Sequence, residues 1–287
     1  MNYILLSINY AAMILIPIIV ALFIHSKTRA SFRFFFIGAV TFILSQVLHI
    51  PFNAVVQSAG WLPTDLTSWP NLLLVGLFAG LSAGVFEETA RYLTYRFWAK
   101  DARSWSRGLM LGAGHGGIEA ILLGALGAIS FVSLIAATRN ETAMSVLPAE
   151  QRALVEGALA DILNTPWYGL LLGGLERVFA ILAHLAMSVI VLQAFLRRSI
   201  RWLFLAIGYH AALDMLAVVA VQRVGPYATE GLLAVFSLLS IYVIFRLRTP
   251  DPVAPEPEPL PPPPPAEPLD LPPTGDALDR SRYTSGL

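Results

Sequence analysis

The sequence predicts an all-α protein, a polytopic membrane bundle of about seven transmembrane helices followed by a proline-rich tail. Three observations carry that prediction. First, 56% of the 287 residues are hydrophobic and only 13% are charged, against about 25% charged in a soluble domain. Second, apolar stretches recur at roughly 3–24, 34–57, 71–97, 108–137, 167–196, 202–222 and 231–246. Crossing a hydrocarbon core of ~30 Å takes about 20 apolar residues in a helix. Third, the basic residues alternate from one connection to the next. Lys27, Arg29, Arg33, then Arg96, Lys100, Arg103, Arg107, then Arg197, Arg198, Arg201, then Arg246 and Arg248 fall in one set of connections. The opposite set holds only Arg139, Arg152 and Arg223. By the positive-inside bias the richer set is cytoplasmic, which predicts the N-terminus outside and the C-terminus in the cytoplasm of a multi-pass cell-membrane protein.

The first apolar run has no Lys or Arg before it and is longer than a signal-peptide core, so it reads as a mature span. Spans longer than the bilayer requires are expected to tilt or to extend past it. In the long connection 138–165, Pro148 and Glu150 mark a helix start, and Leu154, Val155, Ala158, Leu159 and Ile162 follow at helical spacing. That predicts a short amphipathic helix on the outer membrane surface. Gly-x-x-x-Gly spacings at Gly80/Gly84, Gly112/Gly116 and Gly169/Gly173 predict close helix packing. The predicted division is a helical domain over 1–248 and a cytoplasmic tail over 249–287. Thirteen of residues 250–273 are proline, a density that favours extended polyproline II. Pro261–Pro265 could dock on a proline-recognition domain, although a solvated spacer suits the composition better.

Composition also excludes several functions. The absence of cysteine rules out disulfides, thiolate metal sites and cysteine nucleophiles. A formal net charge of zero gives no global field to attract nucleic acid.

The chemistry lies in polar residues inside the spans, each of which is costly there and points to function. The third span holds Glu87, Glu88 and Arg91; the fourth His115 and Glu119; the fifth Glu176, Arg177 and His184; the sixth His210 and Asp214. The second holds Gln46 and His49. Counted from the basic ends at ~1.5 Å per residue, Glu88, His115, His184 and His210 lie roughly 12–20 Å deep. Four helices thus place polar groups in one layer, which predicts one convergent site. His49 counts from the opposite face and is not placed in it. Glu87/Arg91, His115/Glu119 and His210/Asp214 stand one helical turn apart and are expected to pair. Five carboxylates against two guanidiniums make the layer acidic. Its charge must be relieved by protons or by a divalent cation.

Familiar hydrolytic motifs are absent. There is no His-Glu-x-x-His and no Gly-x-Gly-Asp. Gly80-Leu81-Ser82-Ala83-Gly84 spells a nucleophile elbow, but it lies within a helical span and not at a strand–helix turn.

Taken together, Phe86-Glu87-Glu88-Thr89-Ala90-Arg91-Tyr92, Gly112-Ala113-Gly114-His115-Gly116-Gly117-Ile118-Glu119, Glu176-Arg177 with His184, and His210-Ala211-Ala212-Leu213-Asp214 resemble the YhfC family of intramembrane metalloproteases. That family is similar to the type II CAAX-protease and bacteriocin-processing superfamily. The resemblance covers nearly all of residues 1–248. It implies a hydrolase that cleaves a peptide bond in a membrane-embedded or membrane-adjacent substrate with a glutamate-activated water. It implies Glu87 or Glu88 as the general base and His115 as holder of the water or of a metal. His210 and Asp214 would orient the site or stabilise the oxyanion. Arg91, Glu119, Glu176, Arg177 and His184 would support it, and Zn2+, if used, would be bound through His115 and His210. The superfamily spacing Glu-Glu-x-x-x-Arg is one residue shorter here, which leaves open which glutamate is the base. Two other classes are open on sequence: a non-catalytic scaffold that keeps the fold, and a proton-coupled transporter.

Overall fold

A computed structural model gives the fold and describes residues 1–250. All but the first two residues of the expected tail lie outside the described residues. The described chain is helical, with no strand. Helix α1 spans Asn2–Thr28, α2 Phe32–Ser58 and α3 Trp69–Leu93, the last continued by a π turn over Thr94–Trp98. Then come α4 (Trp105–Arg139), α5 (Glu141–Val146), α6 (Ala149–Asn164), α7 (Leu172–Leu196) and α8 (Arg201–Arg246). Local sequence sets several boundaries. Ser31 and Ser68 accept backbone N–H bonds at the starts of α2 and α3, where the first amides have no partner within the helix. A short helix in the connection after α4 matches the expected one: α6 begins just after Pro148 and buries none of its residues.

Six of these helices are long and apolar enough to cross a membrane: α1, α2, α3, α4, α7 and α8. The last has 46 residues, about 69 Å if straight and more than twice a bilayer core. It is not straight. Gly225 has φ 79° and ψ 172°, a conformation open essentially to glycine alone. Pro226 follows and cannot donate to the preceding turn. Beyond the break the chain returns along itself: Tyr209 Oη lies 2.7 Å from Ser240 Oγ, and the Tyr209 and Phe236 rings are 4.9 Å apart. The two apolar stretches 202–222 and 231–246 are the antiparallel limbs of this hairpin.

Packing places α4 and α7 at the centre. Helix α4 touches α1, α2 and α7, and α8 packs on both α3 and α7. Small residues make the contacts close. A Cβ added at Gly80 would lie 2.3 Å from the Ala211 carbonyl oxygen, and one at Gly84 would lie 2.8 Å from that of Ile207. Helices α3 and α8 therefore meet backbone to backbone, as the Gly-x-x-x-Gly spacing predicts. The outer faces carry exposed large apolar residues, among them Leu15, Ile19, Leu44, Leu48, Leu77 and Leu238. So much contiguous apolar surface is stable only under lipid.

The end of the bundle bearing the basic connections is sealed. Tyr95, Met110, Leu111, Val189, Val191 and Leu192 are fully buried there in one hydrophobic cluster. This plug determines where the polar site opens.

Candidate active site

Five helices converge on a cavity of about 350 Å³ in the middle of the bundle. Its polar lining is Gln46 and His49 from α2, Glu87 from α3, Glu119 from α4, Glu176, Arg177 and His184 from α7, and His210 and Asp214 from α8. Glu88, Arg91 and His115 lie directly behind this lining, fully buried. The ten residues singled out from the sequence are thus gathered around one cavity, and Gln46 and His49 join them.

Most of the network is one alternating chain of acids and bases. Asp214 Oδ2 faces His210 Nε2 at 3.5 Å, and His210 Nδ1 lies 3.0 Å from Glu88 Oε1. The other oxygen of Glu88 pairs with Arg91. Arg91 Nη2 donates to His184 Nδ1 at 3.2 Å, which leaves Nε2 of His184 to carry the proton it donates to Glu119 Oε2 at 2.8 Å. Arg177 donates to Glu119 Oε1 at 2.6 Å and closes the chain on Glu176. Buried charges are tolerated only when paired in this way.

A second branch centres on Glu87. Its Oε2 lies 3.1 Å from His115 Nε2, and its Oε1 accepts from Gln46 Nε2 at 3.0 Å. Phe42 sets an edge against the His115 ring at 5.2 Å. Gly116 makes room for His184: a Cβ there would come within 2.6 Å of its ring.

The pairing differs from the expected one-turn pairs. Arg91 bonds Glu88 and not Glu87, and Glu119 bonds His184 and Arg177 and not His115. Of the three expected pairs, only His210 and Asp214 face each other. Arg91 takes the glutamate three residues back on its own helix, whereas Glu119 finds its partners on the facing helix α7. The adjacent glutamates also separate. Glu87 lines the cavity, whereas Glu88 is enclosed by Arg91 and His210.

Side-chain exposure rises from none at Glu88 and His115 to 22% at Glu119, 36% at Asp214 and 43% at Glu176. The accessible rim is therefore on the side away from the basic connections. The hydrophobic plug on the basic side is the reason.

The donors available to a metal are Glu87, His115 and His184. One ligand atom from each lies within 4.8 Å of the others, and all three residues are buried. A carboxylate and two imidazoles are the donor set of many hydrolytic zinc sites. His115 Nδ1 is buried with no hydrogen-bond partner among the described residues; Glu119 holds one nitrogen of His184, and an ion on the other would take the place of its bond from Arg91. By chemistry and proximity the set fits a divalent cation. The expected His115/His210 pair is not this set: His210 turns its nitrogens to Glu88 and Asp214, and His184 stands between the two rings.

Sequence reasoning missed Gln46 and His49 as members of the site, along with Ser82 and Asn53, which bond His49. A signal was present. Gln46, His49 and Asn53 are spaced three and four apart, one polar stripe along an otherwise apolar span. Ser82 is no nucleophile elbow; it sits within α3 and bonds the Ala79 carbonyl.

Fold and site together define a multi-pass membrane protein with a buried acid–imidazole centre. The family model for YhfC intramembrane metalloprotease matches residues 12–237, and the chain belongs to that family. It is 33% identical over 247 residues to the uncharacterized membrane protein YhfC of Bacillus subtilis (strain 168), a match covering 85% of this chain and 95% of that protein. No solved structure matches.

Proposed function

We propose that the chain is an intramembrane metallopeptidase that hydrolyses a peptide bond of a membrane-embedded or membrane-adjacent substrate within the α2–α3–α4–α7–α8 cavity. The observation that carries this reading is the convergence of Glu87 and His184 at the cavity wall with His115 directly behind them, in a chain whose family is named for that activity. His115 and His184 would hold the ion with Glu87 beside them. Bound there, a divalent cation such as Zn2+ supplies Lewis acidity toward a carbonyl and acidifies water.

The chain's own residues do the rest. Glu87 is the member of the adjacent pair that reaches the cavity, so it takes the proton of the attacking water. Glu88 and Arg91 lock His210 and His184 in place from behind. His210, with Asp214, faces the cavity from α8 and is placed to donate toward the oxygen on which charge develops. The apolar plug keeps bulk water from the basic side, so electrostatic interactions within the site are strong. In our reading the basic connections are cytoplasmic, the N-terminus is outside, residues 1–248 form the enzyme and 249–287 a separate tail.

The test is a comparison of membrane-protein fragments in cells making the wild type or Glu87→Gln. Fragments present with the wild type and absent with the variant, while the variant remains folded and binds metal, are expected. Identical fragment patterns would refute the hydrolytic reading in favour of a scaffold. Loss of metal from Glu87→Gln would make Glu87 a ligand and not the base.

A further inference from the structure

One wall of the cavity has no part in the proposed chemistry. Helix α2 lines it with Phe42, Gln46 and His49, and a string of hydrogen bonds runs along that helix into Glu87. We propose that Gln46 and His49 are positioning residues: His49 fixes the Gln46 amide in one orientation, so that Gln46 holds one oxygen of Glu87 and leaves the other turned to His115. This deepens the reading of Glu87 as the functional carboxylate and rests on it.

As the base of the proposed reading Glu87 is ionised, and an ionised carboxylate only accepts hydrogen bonds. The Gln46 atom 3.0 Å from Glu87 Oε1 must therefore be the nitrogen. The second hydrogen of that amide goes to Ser45 Oγ at 3.3 Å, and Ser45 spends its own hydrogen on the Phe42 carbonyl at 2.7 Å. What remains of the amide is its oxygen, 3.2 Å from His49 Nδ1. An amide oxygen only accepts, so His49 must carry its hydrogen on Nδ1. In a neutral imidazole Nε2 is then an acceptor. It has the donor it needs in Asn53 Nδ2 at 2.9 Å, and Ser82 Oγ at 3.1 Å can turn its single hydrogen there or to the Ala79 carbonyl. Every bond from Asn53 through His49 and Gln46 to Glu87 thus points the same way, in a direction imposed by the carboxylate at its end.

The geometry holds this state. Phe86 stacks on the His49 ring with centroids 5.3 Å apart and planes at 25°, so the ring cannot turn freely. His49 and Ser45 are buried, so water does not replace a lost bond cheaply. The two ends of a glutamine amide are nearly the same size, and without a fixed donor at Nδ1 the amide could turn its oxygen toward Glu87 and repel it. Helix α2 therefore sets which oxygen of Glu87 meets His115.

The test uses the purified full-length chain in detergent with two readouts. The first is Zn2+ affinity, measured by competition with a chromophoric chelator. Gln46→Met keeps the length of the side chain and removes the amide. His49→Asn keeps an N–H where Nδ1 stood, whereas His49→Gln places its amide where Nε2 stood. Glu87 Oε2 backs His115, a residue that would hold the ion, so freeing Glu87 in Gln46→Met and His49→Gln is expected to cost up to the roughly 10- to 100-fold in affinity of a lost outer-shell partner, with His49→Asn near wild type. A role in packing alone would treat the two His49 variants alike, and that result would overturn the proposal. The second readout needs no metal. Nitrogen NMR of histidine-labelled protein should show His49, assigned by its absence in His49→Asn, protonated on Nδ1, and should show that preference lost in Gln46→Met. His49 protonated on Nε2 in the wild type would also overturn the proposal. A wild type that binds no Zn2+ but shows the Nδ1 state and its loss in Gln46→Met would sink the metal reading and leave the positioning intact.

Discussion

Replacing Arg91 with leucine should destabilise the bundle by about 3–5 kcal/mol, the usual cost of stranding one member of a buried ion pair. Neither Arg91 nor Glu88 exposes any of its side chain to solvent. Without the guanidinium, the Glu88 carboxylate keeps only His210 as a partner, and His184 loses the donor to its Nδ1. Thermal unfolding in detergent measures the effect. The double variant Glu88→Leu/Arg91→Leu should recover part of the loss, because an apolar pair avoids the buried charge. It should not recover all of it, since His210 and His184 each remain short of one partner. An unchanged melting temperature in the single variant would mean that the pair does not hold the core together as described.

A second large effect is expected where α3 and α8 touch. Valine at Gly80 places a Cβ 2.3 Å from the Ala211 carbonyl oxygen, and backbone cannot yield as a side chain tip can. The helices must part, and with them Glu88 on α3 and His210 on α8, now bonded at 3.0 Å. The loss should reach or exceed the ~1–3 kcal/mol typical of overpacking, read as a lower unfolding temperature and a broadened size-exclusion profile. Gly208→Val on the same α8 limb is the control. A Cβ there meets nothing within 4 Å, so that variant should behave nearly as the wild type. Equal behaviour of the two variants would contradict the close contact.

Much of this architecture was legible because membrane helices obey simple constraints. Length and apolarity located α1, α2, α3, α4 and α7 to within a few residues, since the bilayer fixes how much of a helix must be apolar. The hairpin of α8 was legible as two apolar stretches, and Gly225-Pro226 was visible in sequence. Depth counting put Glu88, His115, His184 and His210 in one layer because all four helices share a sealed basic end. It left out His49, which was counted from the other face and yet lies one helical turn from Gln46 and bonds it. Partner choice was the least legible. Periodicity shows what lies one turn away on the same helix, but Glu119 finds His184 and Arg177 across an interface that Gly112 and Gly116 bring close. Such pairings depend on rotation and crossing of helices, which no single helix's sequence contains. The same limit explains why the donor group resolves to Glu87, His115 and His184 and not to His115 and His210.

That donor group is the centre of the account, and metal content measures it most directly. The wild type should be purified without chelator beside His115→Ala, His184→Ala and His210→Ala, each checked for folding, and metal counted per chain. One divalent ion is expected in the wild type and in His210→Ala, and none in His115→Ala or His184→Ala. A well-folded wild type without metal even after incubation with Zn2+, or a His184→Ala variant that keeps its ion, would contradict it.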